Sequence, residues 1–98
     1  MNEFEKLISG EKPVLVDFFA TWCGPCKMMS PVLEDVKKQV GNAATIVKID
    51  VDKNQELASM YGIQAVPTLM IFKRGENVWR ASGVQREADL VALLQQFK

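Results

Sequence analysis

The sequence has no histidine and only two cysteines among its 98 residues. The first absence excludes imidazole metal ligands and Ser–His or Cys–His nucleophilic catalysis. A structural zinc site wants four ligands, usually Cys or His, and this composition cannot supply them that way. Two cysteines also fall short of a small secreted disulfide scaffold. Charge of one sign is lacking as well: 12 basic residues balance 12 acidic ones. That removes the electrostatic case for a nucleic acid or an anionic membrane as partner. No apolar run approaches the length of a membrane span. No glycine-rich dinucleotide motif is present, so nicotinamide or flavin chemistry would belong to a partner enzyme. The opening residues, Met1-Asn2-Glu3-Phe4-Glu5-Lys6, carry acids and no hydrophobic core, unlike a signal peptide, and a cytoplasmic location is expected. What the chain does have is 48% apolar and 24% charged residues, which fits one packed domain over residues 1–98.

Both cysteines fall in one stretch, Trp22-Cys23-Gly24-Pro25-Cys26. It lies between an apolar run, Val14 to Ala20, and a helical pattern, Lys27 to Val40. Cys23 is thereby placed at a helix N-terminus, where free N–H groups and the helix dipole favour an anion. A thiolate is such an anion, and it is the nucleophilic form of cysteine. Two intervening residues let the sulfurs close a small ring. Gly24 admits backbone conformations denied to other residues, and Pro25 suits the first helical turn. A static clip closing so short a loop would add little stability, so the pair reads as redox-active.

The remaining elements follow from periodicity. Asn2 to Ser9 reads as a short helix with a capping box, Asn2 and Glu5. The run Val14 to Ala20 reads as a strand covered on both faces, interrupted only by Asp17. Asp17 is either at a solvated strand edge or a buried carboxyl; burial would raise its pKa toward neutrality, where it could exchange protons. In the main helix Met29, Val32, Leu33, Val36 and Val40 recur at helical spacing, Pro31 predicts a kink and Gly41 the stop. Thr45 to Val51 reads as a second buried strand, parallel to the first and interrupted by Lys48. Asp17 and Lys48 are expected to approach each other beneath the cysteines. Asn54 to Tyr61 reads as a helix with Leu57, Met60 and Tyr61 inward. Pro67 to Phe72 is a third strand, Arg74 to Asn77 a turn, and Val78 to Ser82 an antiparallel return. Glu87 to Phe97 closes the chain as a helix.

Val16-Asp17-Phe18-Phe19-Ala20-Thr21-Trp22-Cys23-Gly24-Pro25-Cys26-Lys27 resembles the active-site stretch of the thioredoxin family, whose C-x-x-C beside a β-α-β pattern is an established redox signature. The likeness continues to the end of the chain. It implies a mixed α/β sheet of four strands with helices on both faces, ordered Thr45, Val14, Pro67, Val78. It implies a disulfide reductase for other proteins, holding no cofactor beyond a Cys23–Cys26 disulfide and recharged by a thioredoxin reductase. Cys23 would attack the client disulfide and Cys26 would resolve the mixed disulfide. Asp17 matches the family aspartate that exchanges a proton with the second cysteine, and Lys48 would tune it. Val66-Pro67-Thr68 is similar to the family's cis-proline loop, where the Val66 backbone pairs with a bound client. With Gly83 and Val84 at the second glycine position, and with Trp22, Gly24 and Pro25, these residues would form the client-docking surface.

Two departures stand out. Family members begin with a strand ahead of the first helix. Here only Met1 precedes the helix, so the Thr45 strand is expected to be an exposed edge in a four-stranded monomer. Phe19 stands where many relatives carry Trp. The rival readings are an oxidase or isomerase of the same fold and a module binding a metal or cluster through the two cysteines. Oxidising relatives often place a histidine between the cysteines, and Pro25 in its place favours reduction.

Overall fold

The structure, a computed structural model, describes residues 2–98. Asn2 caps α1 (Glu3–Ile8): its side chain accepts the Glu5 N–H at 2.7 Å, and the Glu5 carboxylate accepts the Asn2 N–H. Then come β1 (Val14–Phe19), α2 (Gly24–Val40), a 3-10 turn (Gly41–Ala43), β2 (Thr45–Asp50) and α3 (Gln55–Met60). β3 (Thr68–Lys73), β4 (Glu76–Ser82) and α4 (Glu87–Gln96) complete the chain. The strands form one sheet in the order β2-β1-β3-β4. β2 runs parallel to β1, while β3 is antiparallel to both β1 and β4. The expected order and number of strands are both met.

Side-chain alternation along β1 divides the core. Val14, Val16 and Phe18 pack toward α1 with Phe4, Ile8, Met70 and Phe72. Leu15 faces the other way, into a cluster with Met29, Leu33 and Val36 of α2 and Leu90 and Leu94 of α4. Asp17 shares the Leu15 face, under α2. β2 is not a doubly covered strand. All its residues are half-buried or exposed, because among the described residues only β1 pairs with it.

The β3–β4 hairpin turns on Arg74 and Gly75, both at positive φ (54° and 82°). That pair of conformations matches strand twist in a two-residue loop, which is why β4 starts at Glu76, two residues earlier than the sequence suggests. A bulge lies between Ile71 and Phe72, and Asn77 fills it by donating to the Ile71 and Trp79 carbonyls at 3.1 and 2.8 Å. The bulge lets Val78 and Trp79 both reach the α2–α4 cluster.

Two further expectations need correction. The main helix begins at Gly24 rather than Lys27, with Pro31 inside it. Met60 is 66% exposed. α3 ends at that residue, and its buried side is Ala58 with half-buried Leu57 and Tyr61.

Candidate active site

The cysteines stand at the start of α2, just past the turn that follows β1. Cys23 is the N-cap of α2, and its sulfur accepts the Cys26 N–H at 3.1 Å. Sulfur here takes the place of the usual capping oxygen, satisfying one of the helix's free donors. The two residues are joined as a disulfide across a Cα–Cα distance of 5.3 Å. Both are buried, at 4% and 3% exposure, so the two sulfurs differ little in access in this oxidised state. They pack against Ala20 with Phe19, Val51 and Val66 around them. Pro25 lies in the first helical turn, as its missing N–H favours. Gly24 has an ordinary helical backbone, and a Cβ there would meet nothing within 4 Å. The conformational freedom expected of it is not used.

The Val66–Pro67 bond is cis, and the Val66 carbonyl lies 3.6 Å from the Cys23 sulfur. This loop is tied on both sides. The Thr68 hydroxyl donates to the Ala65 carbonyl at 2.6 Å and lies 3.0 Å from the Ser82 hydroxyl. Gly83, at φ +91°, donates its N–H to the Pro67 carbonyl at 2.8 Å. The hairpin thus carries Gly83 and Val84 to the sulfur face. Around the disulfide Trp22 is 70% exposed and Val84 is 45% exposed, with Val66 half-buried. Pro67 is buried, so it shapes this surface from beneath.

Trp22 is anchored by its ring N–H, which donates to Asp52 at 2.9 Å. Asp52 is itself set by Asp50, whose carboxylate accepts the Asp52 and Lys53 N–H groups. Sequence reading passed over Asp52. The polar cluster Asp50-Val51-Asp52-Lys53-Asn54 was the available signal, since Asp and Asn organise turns through their own backbone.

Asp17 is fully buried, and no protein group donates to either carboxylate oxygen. Burial pushes its pKa from 3.8 to about 6, with nearby Lys48 pulling it partly back. The desolvated charged form is disfavoured, and the solvated Lys48 amine offsets this only in part. Lys48 is the register partner of Asp17 on β2, as expected, but the two side chains make no ion pair. The Lys48 amine instead donates to the Ser30 hydroxyl at 2.6 Å and sits 4.8 Å from the centre of the Phe19 ring. An edge strand leaves its amine free to stay in water, which it does.

The arrangement is a buried disulfide at a helix N-terminus, a carboxyl that titrates near neutrality on the strand leading to it, and an apolar rim. Comparison with known proteins agrees. The family model "Thioredoxin" matches residues 1–96. A thioredoxin-like protein of Synechocystis sp. is 51% identical over 96 residues, 98% of this chain and 91% of that protein. A bifunctional thioredoxin reductase/thioredoxin of Mycobacterium leprae is 46% identical over 88 residues, 90% of this chain and 19% of that protein. Among solved structures, a mutant thioredoxin from Halobacterium salinarum superposes with a TM-score of 0.89 at 44% identity, over 99% of this chain and 84% of its own. By sequence, fold and the paired sulfurs, the chain belongs to the thioredoxin family and is a thiol–disulfide oxidoreductase that reduces protein disulfides.

Proposed function

We propose that Cys23 and Cys26 divide the reduction between them. The Cys23 thiolate attacks one sulfur of a client disulfide, forming a mixed disulfide and expelling the other client sulfur as thiolate. Cys26 then attacks the Cys23 sulfur. The Cys23–Cys26 disulfide forms, the client leaves as a dithiol, and two electrons have passed to it. The observation carrying this order is the capped sulfur of Cys23: the helix N-terminus that holds it in the disulfide would stabilise it as a thiolate.

Asp17 accepts the Cys26 proton on this reading. Its carboxyl, on the α2-facing side of β1 and with a pKa of about 6, is a base matched to neutral pH. Lys48 moderates that pKa from the neighbouring strand. Trp22, Gly24, Pro25, Val66, Pro67, Gly83 and Val84 form the docking face, with the Val66 backbone pairing to the client as an added strand. Broad client choice with modest affinity follows from so small an apolar rim. The electron donor is a thioredoxin reductase, a pairing supported by the M. leprae protein that carries both names in one chain. The protein works as a monomer in the cytoplasm, as one domain over residues 1–98.

Cys26→Ser tests the order of attack. It should accumulate a covalent complex with a disulfide client, resolved by added thiol, while Cys23→Ser accumulates none. Trapping by Cys23→Ser instead would reverse the assignment. The reduction potential, followed by Trp22 fluorescence in thiol–disulfide buffers, separates a reductant from an oxidase: a value at or below the cytosolic glutathione poise is expected.

A further inference from the structure

Two contacts fix where the Lys48 amine sits. It donates to the Ser30 hydroxyl at 2.6 Å and lies 4.8 Å from the centre of the Phe19 ring. Asp17 and Phe19 are two apart on β1, so their side chains share the face under α2. Cys26 and Ser30 are four apart on α2, so they lie on one side of that helix, a turn from each other. Charge alone would place the amine elsewhere. Asp17 and Lys48 are register partners, and both carboxylate oxygens of Asp17 lack a donor. An ammonium attracts a buried carboxylate more strongly than it attracts a neutral hydroxyl. Among the described residues no ion pair joins the two.

We infer that Ser30 is a positioning residue for Asp17: with the Phe19 ring, its hydroxyl holds the Lys48 amine off the buried carboxyl. The consequence for catalysis rests on the reading of Asp17 as the base for Cys26; the placement of the amine does not. Held at a distance, the ammonium offsets only part of the desolvation that keeps the carboxyl near neutrality. In contact, it would favour the ionised form, and a carboxylate so satisfied is a poorer proton acceptor.

Two other carboxylates lie near the amine. Glu34, a turn beyond Ser30 on α2, is exposed beside Lys37 and Lys38. A solvated pair there would gain little. Asp50, two residues from Lys48 on β2, has its carboxylate engaged by the Asp52 and Lys53 N–H groups. The remaining neighbours carry no charge: β3 sets Leu69 beside Asp17, and α4 brings Leu90 and Leu94 to this side of the sheet. The Asp17 carboxylate is therefore the acceptor that an amine released from Ser30 gains most by reaching.

The test is the Asp17 carboxyl titration by NMR in the oxidised protein, where neither cysteine titrates. In Ser30→Ala the helix is retained, since alanine is the better helix former. The freed amine should close on Asp17, and the midpoint should fall from about 6 by roughly one pH unit or more, about a tenfold loss of proton affinity. Ser30→Thr, which keeps the hydroxyl, should retain the parent midpoint. In a Lys48→Met background Ser30→Ala should move nothing, because the amine through which Ser30 acts is gone. An unmoved midpoint in Ser30→Ala would overturn the inference. So would a rise, which would place the amine on Glu34 or Asp50, and so would the same fall in the Lys48→Met background. The pH profile of client release in a single turnover tells this inference from the reading beneath it. Its acid limb should move down with the midpoint. A fallen midpoint with an unmoved profile would keep Ser30 in its role and remove Asp17 as the base. Slow release in Asp17→Asn with an unmoved midpoint in Ser30→Ala would do the reverse.

Discussion

β1 and β2 lie side by side in parallel, and each carries a charge at the same register position, Asp17 against Lys48. Their fates differ. Asp17 is sealed beneath α2 with no donor, while Lys48 is exposed and bonded to Ser30. The distinction is made by the number of neighbours each strand has. A central strand imposes its environment on whatever residue occupies it. An edge strand lets a long side chain bend back to water. A charge in an apolar run is thus informative about chemistry only once the strand's place in the sheet is known.

The contrast can be broken most forcefully by truncation. Leu15→Ala, in the central strand where the side chain is fully buried, should destabilise by about 2–5 kcal/mol. Ile46→Ala, in the half-buried edge strand, should lose about half as much or less. Urea unfolding of the two variants gives the comparison, and equal losses would mean that β2 is as well covered as β1.

Asp17→Asn removes the central charge. The native carboxyl titrates at about 6 and the unfolded one near 3.8. As pH rises from 3.8 to about 6 the unfolded chain gives up this proton first, so the native state holds more protons and stability falls. Above about pH 6 the full cost is present, on the order of 3 kcal/mol. The variant should lack that decline, becoming more stable than the parent at pH 8 relative to pH 4. It should also slow release of trapped client at neutral pH. A parent curve without the decline would show that Asp17 is solvated.

Lys48→Met perturbs the edge charge and should do least. Stability should move by about 0.5 kcal/mol or less, as for an exposed position. The Asp17 midpoint should climb further above 6, because Lys48 is what holds it down. Carboxyl NMR titration reads that midpoint, and a fall would contradict the electrostatic coupling across the strand pair.

Much of the fold is legible in the residues themselves. The covered run at Val14, the 3.6-residue pattern of α2, the Asn2–Glu5 capping box and the hairpin all follow from short-range rules, and the cysteine pair announces its chemistry by spacing. What was not legible depends on contacts distant in sequence. Met60 follows a helical face, yet α3 stops there and the residue swings clear. Ser30 takes the amine that the opposite charges suggested for Asp17. Asp52 reaches Trp22 across 30 positions, a pairing that only the folded loop creates. The paired hydroxyls of Thr68 and Ser82 likewise meet only when β3 and β4 are in register.

Arg80 carries a consequence of its own. From β4 its guanidinium donates to the carbonyls of Tyr61 and Gly62, where α3 ends. The segment from there to Val66 is therefore fastened at its start by Arg80 and at its finish by Thr68 and Gly83. A backbone fastened at both ends has already surrendered its conformational entropy during folding. Another chain laid against it then has only its own disorder to overcome, and a shallow contact can hold with few side chains.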